Sequence, residues 1–194
     1  MPRDVDDRTL PADPTADMHA VTKQYCDANR AAYIEWAGSP VTDGIDKDAV
    51  HIVAFCAVTS RVTISRPLKV TSFSIDMNGA GTFDLLLTHG PFSWADSDDR
   101  EAYMICADEV IASTGPHTFV PDDGDLVLSP GVYHVTCRHS DGVSTHYWNH
   151  TNINDRACSL FRIEELWGDG TLQTSAGGEV LNLKMTAYPG TWRV

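Results

Sequence analysis

Lysine is almost missing from this chain: four residues, beside ten arginines and 21 aspartates, in a 194-residue sequence of formal net charge −13. Neither basic type clusters, so the surface repels phosphate backbones and nucleic acid is not an expected partner. Long apolar runs are missing as well. Nothing approaches the roughly 18 consecutive apolar residues of a membrane span, which argues against helical membrane insertion. The acidic, proline-containing stretch from Met1 to Pro14 has none of the character of a secretory signal. Assembly in the cytoplasm of the producing cell is therefore the expected route.

Cysteine is sparse and scattered. Cys26, Cys56, Cys106, Cys137 and Cys158 lie 30, 50, 31 and 21 positions apart, and an odd set without close pairs fits neither a disulfide framework nor a Cys-x-x-Cys zinc site. Cys56, Cys106 and Cys137 sit in apolar, strand-like runs, where a thiol behaves as a small hydrophobe. Gly-x-Ser-x-Gly, Walker and dinucleotide motifs are also missing. The acids Asp96, Asp98, Asp99 and Glu101, and then Asp122, Asp123 and Asp125, stand in turn-like contexts. A glycosidase pair, Glu164 and Glu165 included, must face each other across about 5 to 9.5 Å, which none of these spacings implies. His134, His139, His146 and His150 come nearest to a metal cluster. His146 and His150 would align on a helix, but their surroundings read as strand and loop, where positions four apart lie too far along the chain for shared ligation. Asp122, Asp123 and Asp125 lack the distal glutamate of a calcium loop. No catalytic residue, metal or cofactor is expected, and the chain is not read as an enzyme.

What is present falls into two patterns. Asp13 is a good N-cap and Pro14 suits a first helical position, so a helix is predicted from there towards Trp36. Met18, Val21, Tyr25, Ala28 and Ala32 follow alternating steps of three and four, a heptad seam, and Ile34 and Trp36 extend its apolar surface. So short a helix needs a partner. From the residues alone, another copy and the chain's own core are equal claimants for the seam.

From about Asp48 the period changes to two. Phe73, Ile75 and Met77 alternate with Ser72, Ser74 and Asp76, and Phe83, Leu85 and Leu87 repeat the pattern after the turn Asn78-Gly79-Ala80-Gly81. Tyr133, Val135 and Cys137 follow Pro130-Gly131, and Leu181, Leu183 and Met185 follow Gly177-Gly178. Further strands are expected over 50–58, 62–65, 103–111, 125–129, 144–148 and 158–163. Many short strands separated by turn chemistry predict a mainly β fold, a jelly-roll-like β-sandwich, preceded by an extended arm and a short N-terminal helix. The predicted organisation is 1–13 extended arm, 14–47 oligomerising helix and linker, and 48–194 β-sandwich.

The stretch Pro14 to Asp27 resembles a segment that recurs in bacteriophage fibre and minor tail proteins. The matching positions are Pro14, Ala20, Thr22, Lys23, Tyr25 and Asp27, while Cys26 stands where that family usually has Val. The runs Arg61 to Pro67, Lys69 to Ile75, Thr82 to Leu87 and Asp125 to Val135 resemble, in pattern, the C-terminal β-sandwich modules of phage tail and other appendage proteins. The resemblance implies a virion component, assembled in the host cytoplasm as a parallel homotrimer and attached to other virion proteins through its N-terminal arm. A homotrimeric tail-tip or fibre component that contacts the host surface is the leading expectation. A capsid decoration or head fibre is the structural alternative; a carbohydrate-binding module or a cell-wall or capsule hydrolase is the alternative of another class.

For host contact the sequence offers two aromatic-bearing loops. Ser140 to Arg156 carries Tyr147 and Trp148 beside Asn149 and His150, and Thr88 to Glu101 carries Phe92 and Trp94. Aromatic planes beside hydrogen-bonding groups suit sugar rings, which makes a host-surface glycan the candidate ligand. The competing reading is that the tryptophans plug the ends of the sandwich or a subunit interface.

Overall fold

The computed structural model describes residues 33–45, 51–88, 90–92, 103–141, 144–151, 156–173 and 180–193. The chain divides into two compact units, Ala37–Pro189 and a smaller one made of Met1–Trp36 with Gly190–Val194. The strands, in chain order, are β1 (Tyr33–Trp36), β2 (Val41–Gly44), β3 (His51–Phe55), β4 (Ala57–Ile64), β5 (Leu68–Met77), β6 (Gly81–Thr88), β7 (Tyr103–Ile111) and β8 (Gly115–Phe119). They continue as β9 (Leu126–Leu128), β10 (Gly131–His139), β11 (His146–Thr151), β12 (Arg156–Ala157), β13 (Arg162–Gly168), β14 (Thr171–Leu172), β15 (Val180–Leu181) and β16 (Leu183–Arg193). Among the described residues there is no helix.

In the larger unit these strands form two antiparallel sheets. The first runs β16-β5-β11-β15, with β2 on β16, β3 on β11, and β8 and β9 on β5. The second runs β12-β13-β4-β10-β6-β7, with β14 on β13. The chain changes sheet at most connections, from β4 to β5, back to β6, and again from β7 to β8 and β9 to β10. That is the jelly-roll-like sandwich the alternation predicts.

Alternation also explains the core. Phe73, Ile75 and Met77 of β5, Leu183 and Met185 of β16, and Trp148 of β11 line one inner face. Val58 and Val62 of β4, Val135 and Cys137 of β10, and Phe83 and Leu85 of β6 line the other. Burying side chains of this size stabilises the fold by about 1.5 to 3 kcal/mol each.

The expected single strand over 50–58 is instead two, broken at Cys56. Asp169 secures the break: its Oδ1 accepts from the Ala57 N–H at 2.8 Å and its Oδ2 from the Cys56 N–H at 3.3 Å. A Cβ on the neighbouring Gly168 would lie 2.3 Å from the Phe55 ring, so only glycine lets the strand pass.

The first sheet begins earlier than residue 48. β2 pairs with β16 from Gly44↔Lys184 to Val41↔Ala187, and Ile45 is buried in the core. This corrects the reading of 14–47 as helix and linker at its C-terminal end. In the smaller unit, Tyr33 to Trp36 pair antiparallel with Arg193 to Gly190, so the predicted helix does not reach Trp36. Tyr-Ile-Glu-Trp is rich in β-branched and aromatic residues and favours an extended chain. A Cβ on Gly190 would lie 2.5 Å from Ile34, and the Arg193 guanidinium pairs with Glu35. The seam residues Met18, Val21, Tyr25, Ala28 and Ala32 lie outside the described residues.

Candidate functional site

Phe92, Trp148, Asn149 and His150 do not form the exposed binding surface that the sequence suggested. Trp148 is 0% exposed: β11 lies between β3 and β15, and the indole points into the sandwich. Its Nε1–H donates to the Phe55 carbonyl at 2.9 Å, and its ring meets Phe83 and His146 edge-on at 5.5 and 5.1 Å. His150, two residues on and on the same face, is buried too. Asn149 is buried with its Nδ2 donating to the Met77 carbonyl at 3.4 Å. A polar-looking sequence here is thus an interior strand, because its apolar partners Met77 and Val53 come from distant β5 and β3.

Phe92 is 8% exposed and covers the outer face of the second sheet. Its N–H donates to Thr59 Oγ1 at 3.3 Å, and its ring lies 5.2 Å from the Arg138 guanidinium. Beneath it Thr59 and Thr136 join hydroxyl to hydroxyl at 2.8 Å, both buried although they point away from the core. Phe92 therefore serves packing. Trp94 and the side chain of Tyr147 lie outside the described residues.

The acids fall into structural roles. Arg61 holds Glu164 at 2.9 Å and Glu165 at 3.1 Å where β13 bulges, so this pair is an ion-pair network. Asp122 accepts from the Ala107 N–H at 3.0 Å, and Asp125 lies 3.6 Å from Lys69. Asp84 is buried in β6. Its Oδ1 accepts from Asp108 N–H at 3.0 Å and Ser140 Oγ at 2.7 Å, and its Oδ2 from Arg138 Nε at 3.0 Å. Burial pushes this carboxyl up, but the three hydrogen bonds and the Arg138 charge together hold it below its ordinary value.

The histidines separate as well. His146 packs edge-on against Phe83 at 4.6 Å, with His139 on the same ring at 5.1 Å. Burial, reinforced by the nearby His139, lowers the His146 pKa to about 4. Among the described residues no group of three or more His, Cys, Asp or Glu is disposed to hold a metal. The thiols of Cys106 and Cys137 are buried. Burial, followed by the charge of Asp122, raises Cys106 to about 12, and burial raises Cys137 well above its usual value. Such thiols pack but do not attack.

A concave feature does open on the outer face of the first sheet. Ile45, Ser74, Asp76, Gly115, Pro116, Asn182 and Lys184 line a cleft of about 250 Å³. Sequence alternation puts Ser74 and Asp76 on the face of β5 opposite Phe73, Ile75 and Met77 but has no means to show the cleft. Its other walls come from Ile45, β8, β16 and Asn182, the one residue between β15 and β16, up to 110 residues away.

No family model and no curated protein matches this chain. Among solved structures it is similar to a variant of the clostridial cysteine protease Cwp84 after propeptide cleavage, with TM-score 0.53 and 9% identity over 78% of this chain and 41% of that one. A structure of the cysteine protease and lectin-like domains of Cwp84, a surface layer associated protein of Clostridium difficile, matches with TM-score 0.52 and 10% identity over 78% of this chain and 36% of that one. The chain thus spans well under half the length of these structures. At such identity the likeness is one of fold.

Proposed function

We propose that this chain is a structural component of a phage-type virion, a homotrimeric tail-tip or fibre protein whose β-sandwich faces the host. The observation that carries this reading is the Pro14 to Asp27 segment, with its Ala20, Thr22, Lys23, Tyr25 and Asp27, standing ahead of a β-sandwich. The segment opens the predicted helix whose association seam is Met18, Val21, Tyr25, Ala28 and Ala32, and the arm before it meets other virion proteins. The sandwich acts by binding, and a trimer multiplies weak site affinities by avidity. The Asp-rich surface suits a densely displayed particle protein.

Immunogold labelling of purified particles with an antibody against the sandwich tests the placement: label at the tail tip or fibres is expected, and label on the head moves the protein to a capsid decoration. Unlabelled particles from lysates that contain the protein refute a virion role. Light scattering on the full chain and on a version starting at Tyr33, which keeps every described strand, tests the seam. A trimer that becomes a monomer on truncation is expected. Release of reducing sugar or peptide from host envelope by the purified chain would establish a hydrolase instead.

A further inference from the structure

The described part of the smaller unit is a two-stranded ribbon, Tyr33 to Trp36 paired with Arg193 to Gly190. Trp36 stands directly opposite Gly190 and Ile34 directly opposite Trp192, so these four share one face. Tyr33, Glu35, Thr191 and Arg193 share the other, where the Arg193 guanidinium pairs with Glu35. The first face carries no charge. Ile34 and Trp36 lie over Gly190, where a Cβ would meet the Ile34 side chain at 2.5 Å and the Trp36 ring at 2.9 Å. Trp192 extends this apolar strip and is 54% exposed.

A ribbon of two short strands is marginal in water until a third strand or a packed face supports it. Among the described residues no third strand joins it: β1 pairs with β16 alone, and the ladder between β16 and β5 stops at Pro189. The strip of Ile34, Trp36 and Trp192 is the surface left to supply that support.

Charge selects the occupant. The chain carries −13, so two copies repel over most of their surface. The ribbon is locally neutral, its one acid cancelling its one base, and three of its eight residues are aromatic, so copies can meet there without that repulsion. A basic partner would be drawn to the Asp-rich remainder instead. The chain's own predicted helix is badly placed to cover the strip, since the connecting residues Ala28 to Ala32 hold neither Gly nor Pro to turn it back. The strip continues the predicted seam, whose last member Ala32 adjoins Tyr33.

We infer that the strip of Ile34, Trp36 and Trp192 is a contact between copies of this chain, each copy covering the Trp192 of another. The inference rests on the homotrimer reading and assigns part of its interface to the ribbon. In a symmetric assembly one substitution changes the contact in every copy at once.

Light scattering on the full chain across a dilution series tests this, with Trp192→Glu, Trp192→Ser and Tyr33→Glu. The first puts like charges into the contact, and the last puts the same charge on the opposite face beside Arg193. The concentration at which the trimer half-dissociates should rise roughly tenfold or more in both Trp192 variants and stay within about twofold of the parent in Tyr33→Glu. Should Trp192→Glu fail to fold, Trp192→Ser decides. If the parent is a trimer and folded Trp192 variants dissociate no more readily, the inference is overturned while the homotrimer stands, and the strip passes to the host surface or to the chain's own N-terminal segment. Equal weakening by Tyr33→Glu overturns it too, because added charge alone would then suffice. A monomeric parent overturns the inference and the homotrimer together.

Discussion

Trp148→Ala separates a core tryptophan from a ligand-binding one. The indole is wholly buried, packed against Phe83 and His146, with its Nε1–H on the Phe55 carbonyl. Truncating a buried Trp to Ala costs about 3 to 5 kcal/mol. Losing two edge-on ring contacts, each worth about 0.5 to 1.5 kcal/mol, and stranding the Phe55 carbonyl place this site towards the upper end. For a domain of this size each kcal/mol moves Tm by about 2 to 4 °C, so a fall of roughly 6 to 20 °C is expected in a circular-dichroism melt. Trp148→Phe keeps most of the packing but removes the N–H, and should cost about 1 to 3 kcal/mol. An alanine variant melting within a couple of degrees of the parent would refute the interior placement and return Trp148 to the surface.

Three further outcomes follow from the buried polar groups. His146 is neutral in the fold, with its pKa lowered to about 4 by burial and His139, whereas an unfolded histidine titrates near 6.5. The unfolded state therefore binds more protons between these values, and stability should fall by up to about 3 kcal/mol as pH drops from 6.5 to 4. Urea midpoints across that window should flatten in His146→Leu; an unchanged slope would show that other groups set it. Asp84→Ala removes the acceptor for Asp108, Ser140 and Arg138 at once and should cost about 3 to 5 kcal/mol, read as a lower urea midpoint with unchanged slope. The Asp84 contribution is present above the ordinary carboxylate pKa and fades as pH falls through its lowered value. Cys106 and Cys137 should resist iodoacetamide in the native protein and react after denaturation, as mass spectrometry reports; rapid native labelling of either would contradict its burial.

The sandwich was legible wherever one face of a strand is wet. Phe73, Ile75 and Met77 alternate with polar residues because β5 has solvent on its outer side, and all three are core. Leu86 breaks the rule: it is buried on the outer side of β6, beside Thr136, its partner on β10. β8 escaped notice because Gly115-Pro116 reads as turn chemistry. At this place the proline stands opposite Asp76 in the ladder with β5, and Gly115 takes a positive φ of 133° as its first residue. β2 escaped because Val-Thr-Asp-Gly is too short to show a period, and only its pairing with β16 reveals it.

The candidate site was less legible for a different reason. Aromatic residues among amides and histidines look like a sugar platform in one dimension, but Trp148 and His146 take the same inward face of β11. Polarity in the sequence marks solvent only when nothing else covers the strand. The cleft shows the converse. Ser74 and Asp76 look like unremarkable outer-face residues, and their neighbours Lys184 and Pro116 lie about 110 and 40 residues away, joined to them only through ladder register. A one-residue slip of β16 against β5 would turn Lys184 to the core and dismantle the cleft and the hydrophobic face together. Register is thus the link that ties the cleft to the stability of the fold.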